Sequence, residues 1–262
     1  MTTSFASMGS SQTMALCWHY FSIHFEKQPL EVQVAGGGST ALMVSWAVGV
    51  LADGDWEVLG AWPGAAVGPA FWRGVWEDLD VRGVDKISLV CATDLGGSAL
   101  CPTAKVLPPF QRIFGQDYVP ATSSIGVLRA EARRAVREAS GVRAARIALE
   151  RLLANSKAGR VAVLSPDWPQ VLEQFSAFYA LRPHRRAVVR AGDEYLEQLG
   201  LSLRRAVSRH GPFADSAAAV SFVAQTISRD ELRLKFSWLS KSARPALRLV
   251  GSDSAGLASL GH

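Results

Sequence analysis

Ile87-Ser88-Leu89-Val90-Cys91-Ala92-Thr93-Asp94 reads as a buried β-strand that ends on a carboxylate. A short apolar run bounded by polar residues suits a strand covered on both faces. Upstream, Arg82-Gly83-Val84 closes a helix expected over 69–81, in which Phe71, Trp72, Val75, Trp76 and Leu79 recur at helical spacing. These aromatics are read as core rather than as a cofactor box. Before the helix, Trp56 to Trp62 is expected as a strand, joined through the hairpin turn Asp53-Gly54 to a strand over 42–51. Gly36-Gly37-Gly38-Ser39 marks another turn between extended segments, and Pro63-Gly64 breaks the sheet. The order hairpin, helix, strand with a terminal acid predicts an α/β sheet with helices packed on it.

Beyond this sheet the pattern turns helical. Helices are expected over 122–139, 142–155, 167–180, 192–209 and 215–234, punctuated by Gly159, Pro166 and Pro183. The expected organisation is an unassigned leader over 1–25, a first core part over 26–106, a helical insertion over 107–182, a second core part over 183–240 and a flexible tail over 241–262.

The chain has 262 residues, enough for a sizeable core, and 48% of them are hydrophobic, with a mean hydropathy of +0.12. Wholesale disorder is excluded. No run reaches the ~20 apolar residues that span a bilayer. Cys17, Cys91 and Cys101 lack CxxC spacing, so disulfides are not expected and a reducing cytoplasm fits. The first residues do not read as a secretory signal.

The net charge is +5, and its distribution is uneven. Nine basic residues (Arg129, Arg133, Arg134, Arg137, Arg143, Arg146, Arg151, Lys157, Arg160) face only three acids between 129 and 160. On helices, that bias is the footprint of a surface that follows phosphates, or simply a solvated face. Glycines 36–38 lack the GK[ST] ending of a phosphate loop, Ser98 lacks the closing glycine of a nucleophile elbow, and the histidines form no triad or metal pattern.

Several short stretches occur in a telling order. Glu57-Val58-Leu59-Gly60-Ala61-Trp62-Pro63-Gly64 is followed by Phe71-Trp72, by Leu79-Asp80-Val81-Arg82-Gly83-Val84, and by Asp94. Trp168, Pro183, Arg185, Arg186, Glu197, Leu199, Arg204, Arg205, Gly211 and Phe213 come later. Across roughly residues 30–235 this order resembles the catalytic region of the Mutator-type transposases of bacterial insertion sequences. The resemblance implies an RNase H-like mixed sheet with flanking helices and a helical insertion between the second and third acids, which 103 positions separate here.

It implies further that Asp94 and Glu197 are the second and third members of a carboxylate triad. The family's first aspartate has no counterpart, and Glu26 is the nearest acid on the first strand. Glu26, Asp94 and Glu197 would then hold Mg²⁺ (or Mn²⁺) for cleavage and transfer of DNA strands at transposon ends, within a homo-oligomer. Arg133, Arg134, Arg137, Arg204, Arg205 and Arg209 would contact DNA. The chain departs from the family pattern at Glu26, where glutamate is one methylene longer than aspartate, and at Gly200, where the family carries asparagine. Pro29 is also awkward for a central strand. The alternative reading is a non-catalytic, transposase-derived DNA-binding relic. An acid near position 26 that converges with Asp94 and Glu197 would favour catalysis.

Overall fold

The computed structural model describes residues 15–17, 19–34, 36–64, 68–92, 104–114, 123–155 and 164–250, with side chains described through residue 237. Strands β1 (His19–Val34), β2 (Gly38–Val50), β3 (Trp56–Pro63), β4 (Lys86–Cys91) and β5 (Lys105–Leu107) form one sheet in the order β3-β2-β1-β4-β5. The β1–β2 and β2–β3 pairs are antiparallel, whereas β1–β4 and β4–β5 are parallel. Both hairpins turn where the sequence places glycine. Gly36 and Gly37 have φ of 111° and 89°, and Gly54 has 97°, all in the left-handed region where a Cβ is strained. Asp53 Oδ1 accepts a 3.0 Å hydrogen bond from the Asp55 amide and tightens the second turn.

One face of the sheet is covered by α1 (Pro69–Val81), the helix the aromatic spacing predicts, with proline at its start. Its buried Phe71, Trp72, Val75 and Leu79 pack on Tyr20, Ile23, Phe25, Ala47 and Leu59. Phe25 meets the edge of Trp72, ring centroids 5.0 Å apart. The opposite face carries Leu30, Val44, Trp46, Val48, Trp56, Val58, Leu89 and Cys91. Against it lie α6 (Pro183–His210) and α7 (Ser216–Val250), with Val189, Leu196, Leu199, Val223 and Ile227 buried. Helices α2 (Ser124–Glu138), α3 (Val142–Asn155), α4 (Trp168–Glu173) and α5 (Ser176–Tyr179) fall between β5 and α6 and complete that side. Strand side chains alternate between faces, so one sheet serves both cores.

The structure corrects several expectations. The leader does not run to residue 25, because β1 begins at His19. Tyr20, Phe21, Ser22, Ile23 and His24 are all buried, so this segment lacks the half-buried alternation that betrays a strand, and serine and histidine interrupt its apolar run. The helix expected over 167–180 is two short helices, α4 and α5. Pro183 opens α6 instead of separating helices, so α6 starts nine residues before the expected Gly192. The tail expected from 241 continues α7 to Val250. Pro29 is accommodated because β4 pairs with β1 only over His19–His24, leaving a one-sided ladder at Pro29. Beyond it, Phe213 docks on β1 through two 2.8 Å backbone hydrogen bonds, to the Glu31 carbonyl and from the Gln33 amide. Among the described residues, no helix is long and apolar enough to cross a membrane.

Candidate functional site

On the α6 side of the sheet, β1 breaks its apolar lining with His24, Glu26 and Gln28, three polar side chains at strand spacing. Such groups need partners, because an unpaired polar group out of water costs free energy. His24 is 1% exposed, and its Nε2 lies 3.0 Å from Ser22 Oγ. Arg204 Nη1 donates a 2.6 Å hydrogen bond to Glu26 Oε1, while Glu26 Oε2 is buried without a partner among the described residues.

Two glycines let α6 approach this row. A Cβ at Gly192 would run into the His24 ring and Val50, and one at Gly200 would lie 2.8 Å from Glu26 Oε2. The Glu26 carboxylate thus fills space that a side chain at position 200 would need.

Across from β1, α6 presents Asp193 and Glu197 one helical turn apart, with Glu194 beside them. Arg133 and Arg137, also one turn apart on α2, pair with Glu197 and Asp193 respectively. Arg137 additionally lies 3.6 Å from Glu194 and 3.7 Å from the second oxygen of Glu197. The two guanidiniums rest on aromatic rings, Arg133 over Phe114 at 5.4 Å and Arg137 over Phe110 at 5.6 Å.

Of the acids singled out in the sequence, Glu26 and Glu197 sit on facing elements and sense each other electrostatically. Asp94 lies outside the described residues. Asp193, which the motif register disfavours relative to Glu197, is 1% exposed and closer to the core. The available signal is its helical spacing with Gly192, Leu196, Leu199, Gly200 and Leu203, the buried stripe of α6. His24 has no comparable signal, since in the sequence it is one of several scattered histidines. Among the arginines expected at DNA, Arg133, Arg137 and Arg204 are committed to acids, whereas Arg134, Arg205 and Arg209 are exposed.

Burial pushes the Glu26 carboxyl up to about 7, with Asp193 and Glu197 adding to the rise and Arg204 opposing it. His24 is lowered to about 3, mainly by burial and secondly by the charge on Arg137. The two shifts act oppositely on stability. His24 stays neutral in the folded chain, so stability is lost as pH falls from the unfolded value near 6.5 toward 3. Glu26 takes a proton more readily when folded, so its contribution is full below 4.5 and lost as pH rises through about 7. Between 4.5 and 6.5 they offset one another. Glu26→Gln should therefore expose a steep acid loss already below pH 6.5, and His24→Asn should make stability rise on acidification over the same window. Urea midpoints of both variants and the parent across pH 4–7 check this; parallel profiles would rule it out.

Mg²⁺ binds ionised oxygens that keep lone pairs free in octahedral geometry. Glu26 and Glu197 do not fit it as they stand, since a guanidinium occupies Glu26 Oε1 and both oxygens of Glu197 face arginines. Among the described residues, no group of three His, Cys, Asp or Glu side chains is arranged to hold a metal ion.

Residues 7–111 match the transposase family described as "Transposase, Mutator family". The chain is also 28% identical over 187 residues to a "Probable transposase for insertion sequence element" of Corynebacterium diphtheriae, covering 66% of this chain and 52% of that protein. It is 27% identical over 191 residues to a "Probable transposase for insertion sequence element ISRM3-like" of Sinorhizobium fredii (strain NBRC 101917 / NGR234), covering 68% of this chain and 45% of that one. The chain thus spans about half the length of the curated relatives it matches. With the motifs already in order along the sequence, these matches make the chain similar to the Mutator family of transposases, over residues 7–111 for the family as a whole.

Proposed function

We propose that this protein is a transposase-derived DNA-binding protein that keeps the frame of a Mutator catalytic region and has lost metal-dependent cleavage. The observation that carries this reading is the pairing of α2 arginines with the α6 acids, Arg133 with Glu197 and Arg137 with Asp193. The strand order β3-β2-β1-β4-β5, with β2 antiparallel to β1 and β4 and β5 parallel to it, supports an RNase H-like frame. The run of helices between β5 and α6 supports an insertion between two core parts. DNA contact then falls to cations that remain exposed, above all Arg134, Arg205 and Arg209, with Arg143 and Arg151 on α3. Exposed cations bind phosphates by releasing counter-ions, without reading sequence.

A second reading keeps Mg²⁺- or Mn²⁺-dependent cleavage and strand transfer at insertion-sequence ends, in a homo-oligomer. Its support is the facing placement of Glu26 and Glu197, together with the sequence position of Asp94. Asp94 follows Cys91 by three residues, and Cys91 pairs in register with His24, two residues before Glu26.

One experiment separates the readings. Fluorescence anisotropy with duplex DNA over a salt series is expected to show binding that weakens with salt. The variant Arg134→Glu/Arg205→Glu/Arg209→Glu should reduce the log–log salt slope by roughly 0.9 for each phosphate no longer neutralised, leaving folding intact. Incubating the same DNA with MgCl₂ or MnCl₂ should give no nicks. Metal-dependent nicking abolished by Glu197→Gln would establish the second reading instead, and an unchanged salt slope would remove these arginines from the DNA surface.

A further inference from the structure

The acid cluster holds more than the two carboxylates that family descent would place there. Glu26, Asp193 and Glu197 crowd the crossing of β1 and α6, with Glu194 at its edge. Carboxylates gathered this closely repel one another unless cations neutralise them. We infer that Arg133 and Arg137 of α2, with Arg204 of α6, are built-in counter-ions of this cluster, locking α2 over it and making the fold independent of divalent metal. This inference rests on the reading above only for the ancestry of the cluster.

The lock has a register. Arg133 and Arg137 are four residues apart on α2, and Asp193 and Glu197 are four residues apart on α6. The lower-numbered arginine pairs with the higher-numbered acid, so the helices run antiparallel where the pairs form. Residues four apart on a helix stand on one face, so both pairs close together. Two attachments a turn apart oppose sliding and rolling of α2, which a single pair would permit. Phe114 and Phe110 support the two guanidiniums from behind.

Further contacts hold α2 in the same place. Tyr179 donates a 2.7 Å hydrogen bond to the Val136 carbonyl, and Arg186 donates one of 3.2 Å to the Ala139 carbonyl. The arginines are largely covered, with 16% of the Arg133 side chain and 12% of that of Arg137 exposed. A metal ion leaves on dilution or chelation, whereas these cations are tethered to the chain and remain. The Nε atoms of Arg133, Arg137 and Arg204 and Oε2 of Glu26 are buried without partners among the described residues. Charge pairing, rather than a filled hydrogen-bond network, therefore holds the lock.

A charge-swap cycle on the more exposed pair tests it without DNA, so its failure is distinct from failure of the DNA-binding reading. Arg133→Glu and Glu197→Arg should each lower the melting temperature by roughly 5 °C, and the double swap should recover more than half of the combined loss. Where Arg133→Glu does not fold, Arg133→Gln serves in its place, with hydrogen exchange as the readout: α2 amides should lose protection while α1 amides keep theirs. The parent protein should melt at the same temperature in EDTA, MgCl₂ and MnCl₂, since a ligand that binds the folded state would raise it. A double swap no better than the sum of the singles, equal loss of protection in α1 and α2, or metal stabilisation that disappears in Glu197→Gln would each overturn the proposal.

Discussion

Arg137→Ala should destabilise the protein by about 3–5 kcal/mol, the cost of leaving a buried charge without its partner. Asp193 has only 2% of its side chain exposed and is paired directly with Arg137. Removing the guanidinium strands that carboxylate beside Glu26 and Glu197, where burial, with a smaller addition from the like charges, already raises the Glu26 carboxyl. Asp193 lies close against the sheet, because Gly192 brings α6 onto His24 and Val50. The double replacement Arg137→Met/Asp193→Leu should cost far less, since it removes both charges and leaves apolar volume. Urea denaturation of the two variants decides the matter. A loss below about 1 kcal/mol in the single variant would mean that Arg137 is not the counter-ion of Asp193.

Trp72→Ala should be comparably damaging, at about 3–5 kcal/mol, through the cavity it leaves. Trp72 is 1% exposed and packs from α1 onto β1, meeting Phe25 edge-on at 5.0 Å and Phe71 at 5.3 Å. Its neighbours are held from several sides, because Phe25 also contacts Trp76 at 5.7 Å, so collapse into the gap is limited. The cavity lies on the face opposite the acid cluster. DNA binding per folded molecule should therefore be unchanged while the denaturation midpoint falls. A midpoint equal to the parent's would show that the α1 face does not carry the sheet.

The face that holds Trp72 is written locally in the sequence. The α1 helix is legible because Phe71, Trp72, Val75 and Leu79 repeat at the period of a helix over one uninterrupted segment, with proline at its start. The β2–β3 hairpin is legible from Asp53-Gly54, since few residues tolerate the positive φ that Gly54 adopts. The start of β1 is hidden for the opposite reason. Burial on both faces erases alternation, and His24 looks polar although it is enclosed. The opening of α6 is obscured because proline reads equally as a break or as a first helical residue.

The candidate site is legible in part. Glu26 and Glu197 stand out in the sequence and lie on facing elements, and the arginine-rich character of α2 is plain. Sequence points these arginines outward, toward phosphates, because composition records how many cations a helix carries and says nothing of what lies across from them. Arg134 does face solvent, yet Arg133 and Arg137 turn inward.

By itself, then, the sequence determined what short-range periodicity and glycine chemistry can specify: β2, β3, β4, α1, the turns and the order of motifs that resembles the Mutator family. Only the tertiary structure decided which charges meet. Arg137 and Asp193 are 56 residues apart along the chain, and Arg204 and Glu26 are 178 apart. No local period links such positions. Coulomb attraction and the cost of desolvation depend on distance in space. Packing α2 and β1 against α6 converts arginines that read as a DNA surface into the partners of the acids that read as a metal site.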